Sequence, residues 1–172
     1  MNSVKKIILP GVFTAILIGG QFILSGISGI EIVTVLLLSF TYIFGIKQGL
    51  LVVNAFSILR CFIFGFIPNV IILYLVYYNA FVLLFGSIGN VFKHRYTVKM
   101  HVLVTILAVV MTALFTMFDN LLTPMLYGFS AKTIKIYFIA SLYTVIPQMI
   151  CSFVTVLLIF PPLIKLLNTL NK

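Results

Sequence analysis

The amino-acid sequence predicts an all-α integral membrane protein: a compact bundle of six transmembrane helices with both termini in the cytoplasm. Three observations support this fold class. Hydrophobic residues make up 63% of the 172 residues and charged residues only 8%, whereas a soluble domain carries about a quarter charged residues. The mean hydropathy is +1.30. Apolar runs of about 20 residues, the length that crosses the hydrocarbon core of a bilayer, recur along the whole chain.

Six spans form a single membrane domain over residues 1–172. Their predicted ranges are 7–25, 30–46, 49–67, 70–92, 100–118 and 136–160. Short turns that contain glycine or proline separate the first four spans. The segment 119–135 is the only long connection, because a proline and a glycine interrupt its apolar residues. The two prolines at 161–162 are expected to end the last helix.

The distribution of basic residues predicts the orientation in the membrane. With the amino terminus inside, the cytoplasmic segments contain Lys5, Lys6, Lys47, Lys93, Arg95, Lys99, Lys165 and Lys172. The outer segments contain Lys132 and Lys135. This asymmetry follows the positive-inside rule, so the net charge of +9 indicates contact with membrane lipid and no nucleic-acid partner.

One basic residue, Arg60, falls within a predicted span. An arginine at the centre of a transmembrane helix costs about 2.5–3.5 kcal/mol on insertion scales, so its side chain should face protein or a water-filled cavity. One interpretation is a structural pairing with Asp119, Glu31 or backbone carbonyls. The other is that the guanidinium receives a carboxylate or phosphate of a ligand, since its geometry matches these groups in a two-pronged way.

Other polar side chains fall in the same outer half of the predicted bundle. Glu31 opens the second span, where it could instead complement the helix dipole, and Asp119 could simply end the fifth. Tyr74 and Tyr78 lie one helical turn apart in "YLVYYNAF", although tyrosines are also common at membrane interfaces. The candidate substrate-binding residues are Arg60, Glu31, Tyr74, Tyr78, Asn79, Asp119, Tyr143 and Gln148.

The sequence contains no motif for catalysis or for metal binding. Walker, HExxH and CxxC motifs are absent, as is a serine–histidine pairing with a buried acid. Cys61 and Cys151 lie inside apolar runs, where a thiol behaves as a small hydrophobic group. We therefore expect no enzymatic activity, no catalytic residue, no metal site and no cofactor.

The first span carries small residues at Gly11, Ala15 and Gly19, spaced four apart. Such a stripe gives a smooth helical face that another helix can approach closely. The spacing alone leaves open whether that helix belongs to this chain or to a partner.

Taken together, these features resemble the substrate-binding S component of an energy-coupling factor (ECF) type vitamin or micronutrient ABC transporter. The stripe in the first span has the family's small-xxx-small form, and "FGIKQG" at 44–49 has the form FG-x-x-x-G found between the second and third helices of many members. Further similar stretches are 29–45, 59–84, "FTMFDNLLT" at 115–123 and "LLIFPPLIKLL" at 157–167.

The resemblance implies a bacterial plasma-membrane subunit that captures a small water-soluble micronutrient, a vitamin or a related compound, from outside. It implies delivery through a complex with a transmembrane coupling subunit and two cytoplasmic ATPase subunits, and it assigns Gly11, Ala15 and Gly19 to the coupling-subunit interface. Two alternatives remain: a stand-alone small transporter or channel without an ATPase partner, and a membrane enzyme or scaffold. No thiamin, riboflavin or biotin pattern is recognisable, so the substrate is open.

Overall fold

The computed structural model describes residues 3–27 and 29–171, and the regular secondary structure of these residues is entirely α-helical. The helices are α1 (Ser3–Leu24), α2 (Val33–Phe64), α3 (Pro68–Val91), α4 (Val98–Tyr127) and α5 (Ala131–Asn171). Within the described part of the chain, five helices are long and apolar enough to cross a membrane. This is the architecture of a multi-pass membrane protein.

The structure has five continuous helices and not the predicted six, because the second and third predicted spans are joined in α2, which consists of two helical segments that meet at a kink at Gly45. Gly45 interrupts α2 with φ 78° and ψ 179°, a backbone conformation that glycine adopts without steric cost. In a straight helix, Thr41 and Gly49 would be about 12 Å apart along the axis. Instead, a Cβ atom added to Gly49 would lie 2.8 Å from Oγ1 of Thr41. The two halves of α2 therefore fold back on each other at one residue, with no connecting loop.

Helix α3 packs into this hairpin through two glycines. A Cβ atom on Gly86 would lie 2.5 Å from the side chain of Ile46, and one on Gly89 would lie 2.5 Å from the backbone oxygen of Tyr42. The absence of side chains at these two positions is what lets α3 approach the bend so closely.

The remaining helices pack around both halves of α2. On α1, the Phe13 ring lies 4.4 Å from the ring of Phe40, and the hydroxyl of Thr14 donates to the carbonyl of Val52 at 3.4 Å. On α5, the ring of Phe160 lies 5.8 Å from that of Tyr42. Helix α2 is thus the centre of the bundle.

The long connection predicted at 119–135 is also wrong. Helix α4 continues through Pro124 to Tyr127, and α5 begins at Ala131. The turn is short because Gly128 has a left-handed conformation (φ 62°), and the N–H groups of Gly128 and Phe129 both donate to the carbonyl of Pro124. Pro124 and Gly128 therefore end α4 in a short turn and not in a long connection.

The expected end of the last helix at Pro161 and Pro162 is wrong as well. Helix α5 includes both prolines and runs on to Asn171. A proline removes one N–H donor and crowds the carbonyl four residues earlier. The energetic cost of each proline is confined to one turn of the helix. It does not end α5, which is packed against the bundle through Val156, Phe160 and Ile164.

The outward-facing side chains are largely apolar. Ile7 and Ile23 on α1 are each 77% exposed, and Val91 at the end of α3 is 76% exposed. Such residues at the surface of five apolar helices are suited to contact with lipid.

Gly89→Ala should destabilise the packing of α3 against the α2 bend. The added methyl group meets the Tyr42 backbone, which cannot move aside as a flexible side chain would, so we expect a loss of about 1–3 kcal/mol. The measurement is the thermal unfolding temperature of the purified protein. Gly11→Ala is the matched control, because nothing lies within 4 Å of its added Cβ atom. Equal melting temperatures for the two variants would contradict the close approach.

Candidate functional site

A cavity of about 370 Å³ lies at one end of the bundle, a volume at the lower end of the range for small-molecule sites. The end of α1, the α1–α2 connection and parts of all the other helices surround it. The polar residues that line it are Gln21, Ser25, Glu31, Thr34, Arg60, Tyr74, Tyr77, Tyr78, Thr112 and Gln148.

The cavity lies at the end of the bundle opposite the Gly45 bend. Its lining includes Glu31, just before α2 begins, and Arg60, near the end of α2. At the bend, by contrast, the basic α3–α4 turn packs against Tyr42, whose hydroxyl donates to the carbonyl of Arg95 at 2.8 Å. The fold therefore separates the cavity from this basic turn by the length of the α2 hairpin.

Arg60 lines the cavity without a carboxylate partner. Neither acid of the described chain comes within 4.0 Å of its guanidinium, and its Nε atom is buried without a hydrogen-bond partner among the described residues. The guanidinium carbon instead lies 4.2 Å from the ring centroid of Tyr74 and 4.9 Å from that of Phe64. These cation–π contacts orient the guanidinium but supply no negative charge. The ion pairs with Glu31 or Asp119 that were considered from the sequence are not formed.

Glu31 lies two residues before the start of α2 and lines the cavity. Its carboxylate accepts the backbone N–H of Thr34 at 3.1 Å and also the Thr34 hydroxyl, which satisfies a free donor in the first turn of the helix. The backbone of Glu31 is tied to α5, because its N–H lies 3.4 Å from Sγ of Cys151. Burial raises the pKa of the Glu31 carboxyl above 4.5, and the two bonds from Thr34 offset only part of that shift.

Three tyrosines of α3 form an aromatic wall of the cavity. The rings of Tyr74 and Tyr77 lie 5.0 Å and 5.1 Å from that of Tyr78, and Phe115 of α4 lies 4.8 Å from Tyr77. Tyr74 accepts a hydrogen bond from Nε2 of Gln21 at 2.8 Å. The hydroxyls of Tyr77 and Tyr78 belong to residues that line the cavity, and neither makes a hydrogen bond to another described residue.

Asp119 belongs to a second, smaller cavity of about 290 Å³. Its carboxylate accepts the hydroxyl of Thr123 at 2.8 Å and that of Tyr137 at 2.6 Å. Phe115 and Gln148 line both cavities, so the two are neighbours. The polar residues predicted to form one site are thus divided between two cavities. Glu31 and Arg60 line the larger cavity, and Asp119 lines the smaller one.

Two of the predicted site residues do not reach either cavity. Asn79 follows Tyr78 on α3 but turns toward α2, where its side-chain amide exchanges hydrogen bonds of 3.1 and 3.2 Å with that of Asn54. Tyr143 is 81% exposed on the outside of α5. Their polar atoms are used in helix packing or at the surface.

Two polar residues that line the larger cavity, Gln21 and Tyr77, were not among the predicted site residues. Gln21 lies at the end of the small-residue stretch of α1, and its Oε1 atom is buried without a described partner. Tyr77 is adjacent to a predicted residue but one position off its helical face. An uncharged amide so close to the end of an apolar span was the available indication for Gln21.

The small residues of α1 face away from the bundle. Gly11 and Ala15 are exposed and Gly19 is half-buried, and added Cβ atoms on Gly11 and Gly19 would meet nothing within 4 Å. Phe13 and Leu17, on the opposite face, are buried in the core. Among the described residues, then, no helix of this chain packs on the stripe.

Both histidines have structural contacts. The ring nitrogens of His101 lie 2.9 Å from the hydroxyl of Tyr96 and 3.2 Å from the carbonyl of Val156, and Nδ1 of His94 contacts the carbonyl of Tyr42. They hold the α3–α4 turn and α4 against the rest of the bundle.

Comparison of the chain with protein-family models, with curated proteins and with solved structures finds no match.

The raised pKa of Glu31 predicts a pH-dependent difference between the wild-type protein and Glu31→Gln. The folded protein holds this proton more tightly than the unfolded chain does. The resulting stabilisation is complete below about pH 4.5 and is lost as the pH rises through the raised pKa. The melting temperature of the wild type minus that of Glu31→Gln should therefore fall as the pH rises. A difference that is constant or increases with pH would contradict the burial of this carboxyl.

Proposed function

We propose that this protein is the substrate-specific S component of an ECF-type transporter. In this role it captures a small water-soluble micronutrient from outside the cell and delivers it through the transporter complex, without catalysing a reaction. The observation that carries the proposal is the cavity of about 370 Å³, within a bundle of apolar helices, lined by Arg60 and Glu31.

A charged cavity of this kind is suited to capturing a polar molecule. A buried charge without an ion-pair or hydrogen-bond partner destabilises a folded protein by roughly several kcal/mol. Arg60 has no carboxylate partner among the described residues. A bound molecule that completes the pairing therefore gains a charge-assisted contact without breaking one inside the protein.

The position of the cavity supports uptake from outside. It lies at the end of the bundle remote from the basic α3–α4 turn, which includes Lys93 and Arg95. Basic turns favour the cytoplasmic side. In the proposed orientation, in a bacterial plasma membrane, both termini and the Gly45 bend are cytoplasmic and the cavity is on the outer side.

The α1 stripe supports an assembly role. Gly11 and Ala15 are exposed, and small residues allow two helix backbones to approach closely within a membrane. The partner in this proposal is the transmembrane coupling subunit, which two cytoplasmic ATPase subunits drive.

Substitution of Arg60 tests the capture site. A compound that mass spectrometry identifies on the purified wild-type protein should bind Arg60→Gln about tenfold to a hundredfold more weakly, because a charge-assisted contact contributes about 1.5–3 kcal/mol. Arg60→Lys should restore only part of the affinity, since the two-pronged geometry is lost.

Lys47→Gln is the control for that experiment, because it removes the same charge from an exposed position near the bend. Normal binding by a folded Arg60→Gln protein would show that the guanidinium does not contact the compound.

Substitution on the α1 stripe tests the partner surface. Ala15→Trp should abolish uptake and co-purification with the coupling and ATPase subunits, because the bulky ring keeps the partner helix away. Binding by the isolated protein should be retained, since the stripe faces away from the cavity. Leu158→Trp, at an exposed position on α5, is the control. Uptake that persists without the ATPase subunits would favour a stand-alone transporter, and joint loss of binding and assembly would show that the stripe serves the fold.

A further inference from the structure

The cavity is lined by one acidic and one basic side chain that do not form an ion pair with each other. Glu31 and Arg60 both line it, yet their charged atoms are more than 4.0 Å apart. Each has other contacts: the Glu31 carboxylate accepts hydrogen bonds from Thr34, and the Arg60 guanidinium lies over two aromatic rings. None of these contacts supplies an opposite charge.

Such an arrangement would bind different classes of molecule unequally. An anion would pair with Arg60 and bring a like charge toward Glu31, whereas a cation would pair with Glu31 and bring a like charge toward Arg60. A molecule with both charges can place each group against its opposite. In a region of low dielectric constant, that complementarity favours the doubly charged molecule.

The aromatic residues that line the cavity indicate which chemical group of a bound molecule would connect its two charged groups. Tyr77, Tyr78 and Phe115 present aromatic rings to the cavity, and aromatic rings pack favourably against another ring in edge-on or offset geometry. The hydroxyls of Tyr77 and Tyr78, which have no hydrogen-bond partner among the described residues, can bond polar atoms on such a ring.

We propose that the site selects ring-bearing zwitterions: small molecules whose anionic group pairs with Arg60, whose cationic group pairs with Glu31, and whose ring packs against Tyr77 and Phe115. This inference rests on the proposed capture function and narrows it to one class of compound.

The experiment uses matched sets of compounds on the purified full-length protein. One set is phenylalanine, hydrocinnamate and phenethylamine, which share a ring and carry both charges, only the negative charge, or only the positive charge. A second set is tryptophan, indolepropionate and tryptamine. A mixture of the water-soluble vitamins is run in parallel. Compounds retained after washing are released by heating and measured by mass spectrometry.

Wild-type protein should retain the zwitterion of at least one set at least tenfold more than either single-charge analogue, and any retained vitamin should carry groups of both signs. Arg60→Gln should reduce the preference over the cation, and Glu31→Gln should reduce the preference over the anion. Lys47→Gln should behave like the wild type. Because the central ratio is measured on the wild-type protein, it does not depend on whether the variants fold.

Equal or stronger retention of a single-charge compound, vitamins included, would overturn the assignment to zwitterions and leave the capture function standing. Retention of no compound from either mixture above the level of the Glu31→Gln/Arg60→Gln double variant would count against the capture function itself.

Discussion

The reversal of α2 at Gly45 is the constraint on which the rest of the structure depends. Because α2 folds back there, its first turn and its last turn lie at the same end of the bundle, so Glu31 and Arg60 line one cavity. A straight α2 would place these ends about 48 Å apart, beyond the thickness of the hydrocarbon core. The bend needs a residue with φ 78°, and the close approach of α3 needs bare backbone at Gly86 and Gly89. Glycines at one end of the bundle thus create a charged site at the other.

The helices could be predicted from the sequence far better than their ends. Long apolar segments with few charges have one outcome in a membrane, since every backbone N–H and C=O group must find a partner within its own helix. The ends depend on contacts that the sequence does not display. A glycine and a lysine at 45–47 predicted a loop, yet one glycine was sufficient for the reversal. Pro124 and Gly128 predicted a break, yet together they form the closing turn of α4. In both places a local conformation replaced an expected loop.

The candidate site was predicted where a residue's polarity conflicts with its apolar surroundings. Arg60 and Glu31 are such residues, and the structure brings both to the same cavity. Prediction failed where the direction of a side chain depends on its neighbours. Asn79 is polar in an apolar run, but a second amide on α2, Asn54, satisfies it. Tyr143 could be placed only by knowing which face of α5 packs on the bundle. Gln21 was missed because only one face of α1 packs against the bundle, and contacts with α2 determine which face that is.

The most direct test of this account is the distance between the two ends of α2. Nitroxide labels would be introduced at Ile30, which lines the cavity, and at Ile63, in the last turn of α2. Both side chains are exposed, and Cys61 and Cys151 would be replaced by alanine. Pulsed electron paramagnetic resonance in lipid then measures the separation of the labels. If α2 reverses at Gly45, the distance is far below the length of the helix and is comparable with the width of a single bundle. A distance near 48 Å, the length of a straight 32-residue helix, would contradict the shared cavity and the function proposed for it.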